Sequence, residues 1–251
     1  MLKSLASGMC WFVLVALASS AAPASAQGEA STNDRGYELG FYGWLAGLEG
    51  TMGFGRVNDV PVNASFSDIA SFVDFSMAGY FEARRPKYII GTDIFWVKLG
   101  ATRTGHINGS DVDVDFNMDQ YIAALGGAYR WTPQVDLWLT GRLYSLQNSL
   151  TFQGSNLAAA SKTWGDVYIG ARYHVDFAQR WIALARADIG TGGSDFAWYG
   201  NVAVGYHFTP TFTLGAAYRV LSLDRETGSN KDYFKYDIVE DGLGIVFSFS
   251  L

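Results

Sequence analysis

From Tyr37 onward the chain alternates apolar residues with small or polar ones, the period-two signature of strands with two unlike faces. At the end of the chain Leu243, Ile245, Phe247, Phe249 and Leu251 share one face, and Gly242, Gly244, Val246, Ser248 and Ser250 share the other. Reading strands from this alternation and turns from composition predicts ten elements. They lie near 37–52, 74–85, 88–103, 111–132, 135–151, 162–176, 180–190, 195–209, 211–225 and 233–251. The connections alternate in kind. Arg85-Pro86-Lys87, Thr132-Pro133-Gln134, Phe177-Ala178-Gln179 and Thr209-Pro210 are short, whereas 53–73, 104–110, 152–161, 191–194 and 226–232 are mostly longer and polar.

A soluble antiparallel sheet buries its apolar face and charges the other. Here Val167, Ile169, Ala171, Tyr173 and Val175 form an uncharged run, while Asp166, Arg172 and His174 fall on the opposite parity. Outer-membrane barrels turn such an apolar band to lipid and polar side chains to the lumen, with short periplasmic turns, longer outer loops and two aromatic girdles. Tyr129, Trp131, Trp181, Tyr206 and Phe208 lie beside the short turns on the apolar parity; Phe196 and Trp198 lie toward the other rim. The pattern predicts an all-β fold, a closed antiparallel up-and-down transmembrane β-barrel of ten strands. Eight strands is the alternative, with two of the weaker alternations as loop.

Composition narrows the classes further. Of 251 residues 29 are glycine, 49% are hydrophobic and only 17% charged, which excludes a disordered chain, a coiled coil and a disulfide scaffold. A net charge of -6 argues against nucleic acid as a partner. Lys3, the apolar run Met9 to Ala18 and the small residues Ala24-Ser25-Ala26 predict a cleaved secretory signal over 1–26, leaving 27–251 as a single barrel domain. Its removal takes away Cys10, the single cysteine, so neither a disulfide nor a thiolate site is expected.

On the lumen parity the strands collect Glu82, Arg84, Asp93, Asp136, Arg142, Asp166, Arg172, Arg186, Asp188 and Arg219. Opposite charges in a narrow interior must pair, because an unpaired buried charge is costly. They are expected to form an ion-pair network that fixes strand register and partly plugs the lumen; a solute-selecting constriction is the alternative. Asp111, Asp113 and Asp115 share one strand face near the outer rim, beside His106, and suggest a cation-bridging rim that meets lipopolysaccharide. No HExxH or GxSxG pattern occurs, so no catalytic residue, metal centre or cofactor is expected. In the longest loop Ser65-Phe66-Ser67-Asp68 has the form of a helix N-cap with an acid three residues on. Phe66, Ile69, Ala70 and Val73 would then form the apolar face of a short helix, either a lid over the mouth or a helix on the rim.

Several of these residues carry a family resemblance. Trp164-x-Asp166, Gly170-x-Arg172, Trp181, Asp188-x-Gly190, Gly193-Ser194-Asp195, Trp198, Gly205-Tyr206 and Tyr218-Arg219 resemble a group of small bacterial outer-membrane β-barrel proteins, porin-like and OmpW-like. The stretch from Phe66-Ser67-Asp68 to Phe75, with Glu82-Ala83-Arg84 and Asp93, is similar to that group's first half. The resemblance implies the outer membrane of a Gram-negative cell, with lipid, lipopolysaccharide and the barrel-assembly machinery (through the C-terminal strand) as partners. The function expected is structural or passive small-solute transport. A rim hydrolase using a His-carboxylate pair, or an adhesin acting through 53–73 and 152–161, are the alternatives.

Overall fold

The computed structural model describes residues 36–55, 57–107, 110–152 and 155–251. The expected signal segment lies outside them. Eleven strands form one sheet: β1 (Gly36–Phe54), β2 (Val57–Ala64), β3 (Val73–Arg84), β4 (Tyr88–Ile107), β5 (Ser110–Thr132), β6 (Val135–Phe152), β7 (Ser155–Phe177), β8 (Trp181–Gly192), β9 (Phe196–His207), β10 (Phe212–Thr227) and β11 (Phe234–Ser250). Each strand from β3 to β11 pairs antiparallel with the next, and β1 closes the ring by pairing with both β3 and β11. Ten strands therefore make the barrel. Strand β2 lies outside the ring, as the return arm of a hairpin on the outer half of β1.

The lower barrel has the inverted polarity of a membrane protein. Ile169 is 60% exposed and Leu243 62%, whereas Asp136 is 0% exposed and Asp188 2%. The exposed apolar band runs round the wall in register, since Leu139 pairs with Ile169, Ile169 with Ile189, and Leu45 with Leu243. Along the short-turn rim the rings of Phe177, Trp181, Tyr206, Phe208, Phe212 and Phe249 touch in sequence, with centroids 4.9–6.4 Å apart. This belt contains Trp181, Tyr206 and Phe208 of the predicted short-turn girdle, while Tyr129 meets Tyr88 at 5.8 Å instead.

Above the band the polarity reverses without any change of parity. On β11 Phe234, Tyr236 and Ile238 point inward and are nearly sealed, while Lys235 and Asp237 point outward. On β10 Leu221 and Leu223 are buried and Asp224 is exposed. Once the wall leaves lipid its exterior meets water, so the interior packs as a soluble core does. Tyr144 stacks on Trp164 at 5.3 Å, and Phe234 meets the Trp164 edge at 5.9 Å. The outer lumen is therefore lined mainly by apolar side chains, not by glycine, serine and charge as the alternation of β11 suggests. Gly190 makes the room for this packing, because a Cβ there would lie 2.6 Å from the Tyr168 ring.

Two expected loops are strand instead. The β4–β5 ladder continues to the pair Ile107 and Ser110, and the β6–β7 ladder to Phe152 and Ser155. The Asp-Val-Asp-Val-Asp alternation extends the ladder past the membrane, and backbone pairing needs no lipid. The loop 53–73 keeps its predicted helix, α1 (Phe66–Ile69), followed by a 3-10 turn over Ala70–Phe72, but also contains β2.

Candidate functional site

Two clusters of ion pairs occupy the membrane-level lumen. In the lower one Arg172 of β7 bridges two acids, reaching Glu82 Oε1 at 2.5 Å and Asp136 Oδ2 at 3.0 Å. Arg84 holds the other Glu82 oxygen at 3.0 Å and Glu38 at 2.7 Å, and Tyr80 donates to Glu38 at 2.6 Å. Arg130 and His174 also approach Asp136, at 3.4 and 3.3 Å. In the upper cluster Asp188 accepts from Arg142 at 3.1 Å and from Arg186 at 3.0 Å. Asp93 accepts from the Tyr42 hydroxyl at 3.0 Å; that hydroxyl accepts from Arg219 at 2.6 Å, and Arg219 itself stands 3.8 Å from Asp93.

The guanidinium groups are layered with aromatic rings. Arg172 and Arg186 sit directly opposite each other across β7 and β8, a costly placement for like charges. The Trp138 ring lies 4.9 Å from one and 4.4 Å from the other, while Asp136 and Asp188 neutralise them. Tyr199 stands among Arg142, Arg186 and Arg219 at 4.1, 5.9 and 5.1 Å.

Of the predicted luminal set, Glu82, Arg84, Asp136 and Arg172 converge in the lower cluster, and Arg142, Arg186, Asp188, Asp93 and Arg219 in the upper. Asp166 belongs to neither. It faces Gly192 across the ladder and accepts from the Ser194 N–H and Oγ, both at 2.7 Å, so it caps an outer turn. Glu38, Arg130, His174 and Tyr42 were not in the predicted set, although all four lie on the lumen parity. Gln120 and Glu240 were also missed; Gln120 donates to the buried Glu240 at 2.5 Å, and Tyr236 donates to it at 2.8 Å. At the rim Asp115 accepts from Thr102 and Thr151 at 2.7 and 3.1 Å. The side chains of Asp111, Asp113 and His106 lie outside those described.

Two cavities lie in series along the lumen. The lower, of about 210 Å3, is walled by the arginines, Trp138 and Tyr199. The upper, of about 370 Å3, is walled by Leu48, Val97, Leu99 and Met118, with Gln120 and Glu240 as its polar groups. Tyr42, Gly43 and Trp44 line both. Pairing between β1 and β3 ends at Phe41, and pairing between β1 and β2 begins at Leu48. Beside this interval sits α1, whose Phe66 and Ile69, with Ala70 and Val73, line the upper cavity. The apolar face read from the sequence is thus turned toward the lumen.

Helix α1 is held by a reciprocal cap. Asp68 Oδ2 accepts from the Ser65 Oγ at 2.5 Å and from its backbone N–H at 2.9 Å, and Ser65 Oγ accepts from the Asp68 N–H at 3.4 Å. These bonds, the hydroxyl one first, hold the Asp68 carboxyl below the usual carboxylate value. A folded pKa below the unfolded ~3.9 means that the cap's contribution is complete above the unfolded value and is lost as pH falls through the folded one. Amide exchange at Asp68 and Ile69, corrected for the intrinsic rate, should stay slow down to about pH 4 and quicken below it. Asp68→Asn should abolish that pH dependence. A corrected profile that is flat in the native chain would contradict the cap.

A closed ten-strand ring, a lipid-compatible apolar band, an aromatic girdle and a charged lumen define an integral β-barrel of the outer-membrane class. The chain matches no family model and no curated protein sequence. Solved structures similar to it are bacterial outer-membrane barrels. Ail, the attachment invasion locus protein of Yersinia pestis, aligns at 11% identity and TM-score 0.39, over 86% of this chain and 98% of that one. A FadL homologue of Pseudomonas aeruginosa aligns at 8% identity and TM-score 0.32, over 87% and 90%. OmpT of Vibrio cholerae aligns at 12% identity and TM-score 0.29, over 70% and 55%. The class assignment rests on the barrel's own geometry.

Proposed function

We propose that this porin-like, OmpW-like barrel serves passive small-solute passage across the outer membrane through a narrow, partly plugged lumen. The observation that carries the reading is the pair of lumen cavities, which have Tyr42, Gly43 and Trp44 as common lining residues, with the ion-pair clusters around the lower one. Lipopolysaccharide at the outer rim and the assembly machinery at β11 complete the set of partners. No observation among the described residues favours the rim hydrolase. An adhesin role draws some support from the long β4–β5 and β6–β7 ladders, which reach beyond the apolar band.

Single-channel recording of refolded protein in planar bilayers tests the reading. The native chain should give small, discrete currents. Removing Arg186 and Asp188 together should raise them, because Arg186 walls the lower cavity and Asp188 is the acid that holds it there. Silence in both proteins would overturn passage.

A further inference from the structure

The described residues bury five carboxylates, and four of them are answered in full. Glu82, Asp136 and Asp188 meet arginines, and Ser194 donates to both oxygens of Asp166. The fifth, Glu240, is 2% exposed and forms no ion pair among the described residues. Its two hydrogen bonds, from Gln120 Nε2 at 2.5 Å and the Tyr236 hydroxyl at 2.8 Å, both fall on Oε1. Arg219, whose field reaches it, is committed to Asp93 and the Tyr42 hydroxyl. A buried carboxylate without a cation is costly, and water can hydrate it but not neutralise it.

Glu240 and Gln120 line the upper cavity, and no lysine, arginine or histidine does so among the described residues. Because a carboxylate oxygen only accepts, Gln120 turns its NH2 to Glu240 and leaves its own oxygen free. That oxygen and Glu240 Oε2 accept no bond among the described residues, and neither is a sealed atom, so both can be reached from the cavity. The rest of the wall is largely apolar, with Leu99, Met118 and the rings of Trp44 and Phe95, which meet edge to face at 5.3 Å. A bare calcium ion takes about 6–8 oxygens, far more than this wall offers. The volume, about 370 Å3, falls in the ~300–1,000 Å3 range of small-molecule sites.

We propose that the upper cavity is a binding site for a small organic cation, a primary amine with an apolar body. Glu240 Oε2 supplies the opposite charge and the Gln120 oxygen a second acceptor, and an ammonium group carries three donors for them. Trp44 and Phe95 receive the apolar body, and aromatic rings also attract a cation. The site is a property of the folded lumen and goes beyond passage, since a ligand can bind in a barrel that carries no current.

Calorimetric titration of refolded protein in nonionic micelles at neutral pH, with benzylamine against benzyl alcohol and the heats of protein-free micelles subtracted, tests the site. The two probes share a ring and differ in the cationic head. Benzylamine should saturate a single site and bind about ten-fold tighter than benzyl alcohol. Glu240→Gln keeps an oxygen for Gln120 and Tyr236 but removes the charge. It should weaken benzylamine about ten-fold and leave benzyl alcohol unchanged. Heat-modifiable gel mobility shows whether the variant has folded; if it has not, the two probes on the native protein still decide. Benzylamine no tighter than benzyl alcohol, or benzylamine affinity unchanged in a folded Glu240→Gln, would overturn the proposal. Benzylamine binding in a protein that gives no current would sustain the site and refute passage; current without benzylamine saturation would do the reverse.

Discussion

Arg172→Ala is expected to destabilise the refolded barrel by about 3–5 kcal/mol, the cost typical of removing one partner from a buried ion pair. Arg172 is a demanding case because it serves two acids at once, Glu82 at 2.5 Å and Asp136 at 3.0 Å. Its removal leaves the sealed Asp136 to Arg130 and His174, both at longer range, and leaves Glu82 to Arg84 alone. Urea unfolding in micelles measures the loss. Asp136→Asn in the Arg172→Ala background should recover part of it, with a coupling beyond about 0.5 kcal/mol. Strict additivity would show that the clusters do not hold the wall together.

Ile169→Arg should cost about 2–4 kcal/mol, because it places a cation at mid-band on the lipid face. Ile169 is exposed and pairs with Leu139 and Ile189 inside the apolar band. Ala203→Ser on β9 faces the lumen beside the lower cavity and should stay within about 0.5 kcal/mol of the native chain. Equal stability of the two variants would mean that inside and outside are exchanged.

The barrel was legible because lipid imposes one rule on every strand that crosses it. The uncharged run Val167 to Val175 and the face Leu243 to Phe249 carry that rule plainly. Legibility fell where the rule ends. Above the band Phe234, Tyr236 and Ile238 occupy the same parity as the luminal serines and glycines, and alternation alone does not tell which solvent bathes the outer face. The same change hid the strand character of 104–107 and 155–161, since polar strands in water read as loops.

The candidate site was legible by residue type and parity, and less so by partner. A run of period two puts Arg172 and Arg186 in the lumen, and the heights above the short turns bring them level. It does not say that Trp138 separates them, or that Arg172 reaches across to Glu82 of a strand far away in sequence. Asp166 shows the limit. It has the right parity and charge, but the outer turn folds Ser194 onto it and takes it out of the network. Tyr42 shows the converse, a neutral residue that links Arg219 to Asp93 and that a search for charges passes over.

Refolding is the most direct test of the central claim, that this chain is a transmembrane barrel with a charged lumen. Protein diluted from urea into detergent micelles should gain a β-type circular dichroism spectrum and run as a compact band when unheated and a slower one after boiling. A chain that folds as a soluble monomer without detergent would contradict the account, because the exposed band from Phe41 through Ile169 to Leu243 would then face water.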